Sequence, residues 1–227
     1  MTTQIYNSLV SYSDEEKKIV LPRFFKTGKG QYGEGDKFLG VTVPNIRKVA
    51  KEYKDVSFDI LKELIHSPWH EMRMCALIIL VENSKKNVTK ETFDFYLSQT
   101  KHINNWDLVD LSAPQIVGKY LLDKNRNILY KLAESDLLWD NRIAIVSTLT
   151  FIRNNDLDDT YNLSLKMMHH KHDLMHKATG WMLREAGKCD ERRLYDFVTE
   201  HKSIMPRTML RYSIEKFDKE MRKKMME

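Results

Sequence analysis

Cysteine, proline and glycine are all scarce in this 227-residue chain, at two, five and eight residues. Two cysteines, Cys75 and Cys189, are too few for a disulfide framework, and such usage fits a reducing compartment. No stretch approaches about 18 uninterrupted apolar residues, which excludes a membrane-spanning helix. Alternating polar and apolar runs of strand length are missing as well, so nothing in the pattern builds a sheet. The opening Met1-Thr2-Thr3-Gln4 lacks the basic start and apolar run of a secretory signal, and a cytoplasmic protein is expected. What is present is 42% hydrophobic and 30% charged residues, the composition of a chain that folds.

The net charge is +5, and it is unevenly placed. Residues 1–165 hold 22 basic and 22 acidic side chains, whereas residues 166–227 hold 15 and 10. A local excess of this kind suits an anionic partner; the alternative is ordinary surface charge.

Apolar residues recur at three- and four-residue spacing, as in Ile60, Leu61, Leu64 and Ile65, or Ile143, Ala144, Val146 and Phe151. That period is helical, and it predicts an all-α chain. Helix starts are expected near Pro68, Asn105, Leu138, His172 and Arg207, which are 33 to 37 residues apart. Amphipathic partners fall between them, around residues 90–100, 126–135, 160–170 and 191–202. A helix pair repeated at this interval predicts a curved α-solenoid of HEAT-like repeats, one domain spanning 1–227; an irregular helical bundle is the alternative. A concave solenoid face suits a rod-like partner such as duplex DNA.

The segment Asn104-Asn105-Trp106-Asp107-Leu108-Val109-Asp110 carries the most chemistry. Trp106 and Asp110, four residues apart, project from one helix face. With Asn104 as N-cap, Asp107 falls at the third helical position and has a capping role. Capping does not account for Asp110. Pro114 would deprive the Asp110 carbonyl of its amide donor and kink the helix, turning the carboxylate towards a cleft. The alternative is an Asp held by a nearby Arg or by the freed backbone. Arg142, expected in the first turn of its helix, is unfavourable to the dipole there and calls for a carboxylate partner such as Asp110. Gly180 before Trp181 costs about 1 kcal/mol in a helix interior and signals a close approach beside the indole; core packing is the alternative for the indole itself.

At this point the chain closely resembles the AlkD-like family of bacterial DNA alkylation repair glycosylases. The resemblance runs from Arg23-Phe24-Phe25-Lys26 to Met205-Pro206-Arg207. It rests on Phe38-Leu39-Gly40-Val41, Trp106-Asp107-Leu108-Val109-Asp110, Arg142-Ile143-Ala144-Ile145 and Gly180-Trp181-Met182-Leu183-Arg184. It implies excision of 3-methyladenine and 7-methylguanine from duplex DNA by N-glycosidic hydrolysis, without a base-flipping pocket, a metal or a cofactor. The family's catalytic tryptophans, aspartate and arginine fall on Trp106, Trp181, Asp110 and Arg142. Its cleft tyrosine falls on Phe24, so that hydroxyl is missing here. Arg184 is by resemblance a phosphate contact. Lys188, one turn beyond it, and the i,i+4 pair Arg207 and Arg211 at a helix start are further candidates for the DNA backbone.

Other signals read as non-catalytic. The glycines at 28, 30, 33 and 35 lack the spacing of a phosphate-cradling loop and are expected to form a flexible loop near DNA. His169, His170, His172 and His176 lack metal-site spacing and are expected at a basic edge or on solvated surface. The segment Met221–Met226 is expected to be disordered. The chain is therefore expected to be a monomeric glycosylase. The rivals are a non-catalytic DNA-binding module for damaged or branched DNA, and a protein–protein scaffold with the tryptophans as anchors.

Overall fold

The computed structural model describes residues 1–227. It is all-helical, with fourteen α-helices and a single isolated bridge between Lys37 and Trp69 as its only extended pairing. The chain forms two compact units, Met1–Ile116 and Val117–Glu227.

In the first unit, α1 (Thr2–Val10), α2 (Glu15–Phe24), α3 (Val43–Glu52) and α4 (Phe58–Ile65) precede α5 (His70–Asn83), α6 (Lys90–Ser98) and α7 (Trp106–Ala113). Helix α5 is apolar on every side and buries all but its last two residues, so it is the inner helix that α3, α4 and α7 pack on. Its one buried acid has a specific job. Glu71 accepts backbone N–H bonds from Leu39, Gly40 and Val41 at 2.8, 2.9 and 3.2 Å, which fixes the segment leading into α3. Gly40 is obligatory in that segment: its φ is +79°, and a Cβ would lie 2.3 Å from the Asp14 carbonyl oxygen.

In the second unit, α8 (Asn127–Ala133) pairs with α9 (Leu138–Ile152), and α10 (Asp158–Met167) pairs with α11 (Asp173–Cys189). Then come α12 (Glu191–His201), α13 (Arg207–Ser213) and α14 (Lys219–Met226). Helix α9 buries 13 of its 15 residues, and its buried Ser147 and Thr148 hydroxyls donate to the Ile143 and Ile145 carbonyls at 2.6 and 2.7 Å. Gly180 permits the tight packing of α11 on α13, since a Cβ there would sit 2.6 Å from both the Met209 carbonyl oxygen and the Tyr212 Cβ.

Every expected helix start lies within two residues of an observed one: α5, α7, α9, α11 and α13 begin at His70, Trp106, Leu138, Asp173 and Arg207. Three local expectations need correction. The N-cap of α7 is Asn105, whose side-chain oxygen accepts from the Trp106 amide at 2.8 Å, while Asn104 reaches Asp36 instead. The Gly-rich segment is a set of hydrogen-bonded turns rather than a loose loop: Gly33 donates to the Lys26 carbonyl, Gly30 to the Glu34 carboxylate, and Gly28 to the Gln31 side chain. Residues 219–226 form α14, capped by Asp218 and anchored by Met225, which is 2% exposed.

Candidate functional site

Sequence places Trp106 and Asp110 on one helix, and the structure shows what holds that helix. Asn105, fully buried, caps its first turn. Asp107 receives the Leu108 amide at 2.9 Å through one carboxylate oxygen. Through the other it meets His70 Nε2 at 2.8 Å. His70 Nδ1 faces Asp36 at 3.5 Å, and Asp36 is ion-paired with Arg73 at 2.7 Å. These side chains are almost entirely enclosed. Burial opposes a charge on His70, but hydrogen bonds to Asp107 and Asp36 overcome both that and the nearby Arg73 charge, raising its pKa to about 9. For Asp36, burial pushes upward and the His70 bond and Arg73 charge pull down more strongly, so its pKa is lowered.

Aromatic rings continue from this network to Trp106. Phe38 stacks on His70 with centroids 4.9 Å apart, Phe25 stacks on Phe38 at 5.1 Å, and Trp106 stacks on Phe25 at 5.6 Å. Phe24 meets the indole edge-on at 6.0 Å and is itself 59% exposed. Phe24 and Trp106 are therefore brought together. Beside them lies a hollow of about 440 Å³ walled by Phe24, Phe25, Phe38, Ile46, Trp106 and Leu111. Asp110 is half-buried, one turn beyond Trp106. Pro114 ends the α-helix, and a π-helical turn over Pro114–Gly118 follows: the proline cannot donate to the Asp110 carbonyl, and the wider turn accommodates the loss.

The second unit holds the remaining candidates. Arg142 is 5% exposed, and its guanidinium donates to the Leu174 carbonyl at 2.7 Å. It is the fifth residue of α9, just past the first turn rather than in it, so the dipole argument for its partner weakens. Trp181 is half-buried on α11, and the close approach that Gly180 signals is to α13. Arg184 is ion-paired with Glu215 and lies 3.5 Å from Glu185, which also holds Lys188 at 2.6 Å. Arg207 and Arg211 are exposed on α13.

The histidine cluster serves the start of α11. His172 accepts the Leu174 amide at 3.1 Å, His170 accepts the His172 amide at 3.0 Å, and His176 bonds the His170 carbonyl. Burial, followed by the neighbouring His172 and His176, lowers the pKa of His170. The sequence reading missed Asp36, His70, Glu71 and Arg73 altogether. The available signal was a His, a Glu and an Arg within four residues at the head of an otherwise apolar helix.

Fold and side chains together define an all-helical protein that carries an indole and a carboxylate on one anchored helix and an excess of cations over residues 166–227. The chain belongs to the DNA alkylation repair enzyme family, whose model matches residues 5–217. It is similar in fold to a solved protein described as a predicted DNA alkylation repair enzyme from Enterococcus faecalis. That similarity has a TM-score of 0.73 at 16% identity and covers 91% of this chain and 97% of the other. No curated protein matches the sequence. Family membership gives the chain a role in repair of alkylated DNA. No helix is long and apolar enough to cross a membrane.

Proposed function

We propose that the chain is a cytoplasmic, monomeric DNA glycosylase, with residues 1–227 acting as one HEAT-like functional domain. Its reaction is hydrolysis of the N-glycosidic bond of cationic N-alkylpurines, 3-methyladenine and 7-methylguanine, in duplex DNA. The observation that carries the reading is Trp106 and Asp110 one turn apart on a helix whose first turn is held by Asn105 and His70.

The chemistry asks little of the protein. An N-alkylated purine already bears a positive charge, so when the glycosidic bond breaks its electron pair returns to the ring and the base departs neutral. No general acid is needed. The sugar is left oxocarbenium-like, and a carboxylate at Asp110 stabilises that charge and orients the incoming water, whose proton passes to solvent. The Trp106 and Trp181 faces attract the electron-poor lesion and sugar C–H groups. Arg142 orients Asp110 or meets a phosphate.

Excision without base flipping agrees with the character of the hollow beside Trp106. Its walls are mainly hydrocarbon and aromatic, and of its polar groups Lys17, His70, Glu71 and Asp107 are already engaged, leaving the Thr42 hydroxyl to meet a base edge. Phe24 and the cations Arg184, Lys188, Arg207 and Arg211 are assigned to the DNA.

The test is release of 7-methylguanine and 3-methyladenine from methylated duplex DNA, with Asp110→Asn alongside. Release by the wild-type protein and a drop of about 100-fold or more in the variant are expected, the scale of losing one strong electrostatic stabiliser. No release by the wild type, with DNA binding retained, would leave a non-catalytic DNA-binding protein. Equal release by the variant would remove Asp110 from the mechanism.

A further inference from the structure

Helices α13 and α14 border a groove of about 470 Å³, and α14 includes the segment Met221–Met226 for which disorder is expected from sequence. Four cations line it: Arg211 from α13, and Lys219, Arg222 and Lys223 from α14. The α14 residues sit at i, i+3 and i+4, so they form one stripe on the helix. Its other side is tied down, with Met225 buried and Lys224 reaching the Tyr195 hydroxyl at 3.2 Å. The stripe is therefore held in place, not fraying.

None of the four cations has an ion pair. Elsewhere on the surface, lysines and arginines commonly do: Lys17 with Asp14, Lys90 with Asp94, Lys177 with Asp173, Arg192 with Asp196. The one carboxylate in the groove, Glu215, is already shared between Arg184 and Lys216. Four like charges around one hollow repel each other, and Glu215, already engaged by Arg184 and Lys216, offsets them only in part. The arrangement matches a polyanion with evenly repeated charges, because such a ligand neutralises several cations at once and releases its own condensed counterions. Tyr212, 36% exposed at the groove, adds a surface for a sugar or a base face.

We infer that the α13–α14 groove extends the binding site for the DNA phosphate backbone onto α14, with Lys219, Arg222 and Lys223 as new phosphate contacts beside Arg211. The site carries no sequence or lesion preference, since side chains that meet only phosphates read none. It rests on the DNA-repair reading and extends the grip beyond Arg184, Lys188, Arg207 and Arg211 to a helix that takes no part in the excision chemistry.

The experiment measures binding of lesion-free duplex DNA from 50 to 200 mM KCl by the wild-type protein, Arg222→Gln/Lys223→Gln, and the charge-matched control Lys85→Gln/Lys86→Gln. Each lost phosphate contact lowers the slope of log K against log salt by about 0.9, so the groove variant should lose about 1.8 and the control nothing. Equal slopes for all three proteins would overturn the proposal. So would an equal fall in the groove variant and the control, which would show net charge acting rather than the groove. Phosphatidylserine vesicles are the third arm: loss of vesicle binding with an unchanged DNA slope would reassign the groove to a membrane surface and overturn the proposal. Far-UV circular dichroism reports whether α14 persists in the variant, and Lys219→Gln, at the first position of that helix, should lower the slope by about 0.9 on its own; an unchanged slope with α14 intact would count against the groove. Because the duplex is undamaged and no base release is read, failure of the glycosylase reading leaves this result standing.

Discussion

His70 Nε2 lies 2.8 Å from Asp107 Oδ2, joining the first residue of α5 to the second residue of α7. The link spans 37 residues of sequence. It matters because Trp106 precedes Asp107 directly and Asp110 follows it by one turn, so the pair fixes the helix from which both project.

That pair makes stability depend on pH in a stated direction. The His70 pKa in the fold, about 9, lies above its ordinary value of 6.5. Its contribution is therefore complete below about 6.5 and disappears as pH rises through about 9. Asp36 is shifted the other way, so its contribution is present above the ordinary carboxylate range and disappears as pH falls. His70→Gln should destabilise the fold at pH 6, because Asp107 loses its buried cationic partner and keeps only the Leu108 amide, while Asp36 keeps Arg73. The gap to wild type should narrow by pH 10. Urea unfolding at pH 6, 8 and 10 measures it, and a gap that does not change with pH would rule out a charged His70 as the source.

Glu71 presents a simpler case. Its carboxylate is the acceptor for three buried amides, and Glu71→Ala leaves all three without a partner. At about 1–3 kcal/mol for each stranded group, a loss of at least 3 kcal/mol is expected in denaturant unfolding. Loss of less than 1 kcal/mol would mean water replaces the carboxylate.

Gly180→Ala should destabilise the second unit by about 1–3 kcal/mol, because the new methyl meets the Met209 carbonyl and the Tyr212 Cβ, neither of which swings away freely. Gly28→Ala is the contrasting variant. There the nearest atom, at 3.0 Å, is the end of the Gln31 side chain, and the thermal midpoint should barely move.

Phe24 is the position where stability and function should separate. With 59% of its surface exposed, Phe24→Ala should change unfolding free energy by no more than about 0.5 kcal/mol. Excision of methylated purines should nonetheless fall, since the Trp106 edge loses its neighbour. Unchanged excision would place Phe24 outside the site.

Glu215→Gln should strengthen binding of undamaged duplex. The carboxylate now occupies Arg184 and Lys216, and its removal frees both cations for phosphate. Titration at fixed salt shows the effect. Weaker binding by the variant would mean that Glu215 orients Arg184 for DNA rather than competing with it.

Much of the architecture is legible along the chain. The starts of α7, α9 and α13 can be read because Asn105, Leu138 and Arg207 stand at changes of hydrophobic period, which local sterics and hydrogen bonding decide. The family motifs are legible in the same way, and Trp106 and Asp110 share a helix face by spacing alone. Helix α14 was misread because its isolated sequence is dominated by lysine, arginine and methionine; only burial of Met225 and the Asp218 cap make it a helix.

Sequence by itself thus determined the helical class, the repeat interval, the family and the local excess of positive charge, all of which follow from short-range periodicity and composition. Tertiary structure decided which charges are free and which are spent. Arg184 and Lys188 look available in the chain but are held by Glu215 and Glu185, whereas Arg222 and Lys223 line a groove and have no ion pair of their own. It also decided that Asp36, His70, Arg73 and Asp107 form one network. Partners that far apart in sequence leave no periodic trace, and their pairing exists only where the packing of helices excludes water and forces buried charges to find one another.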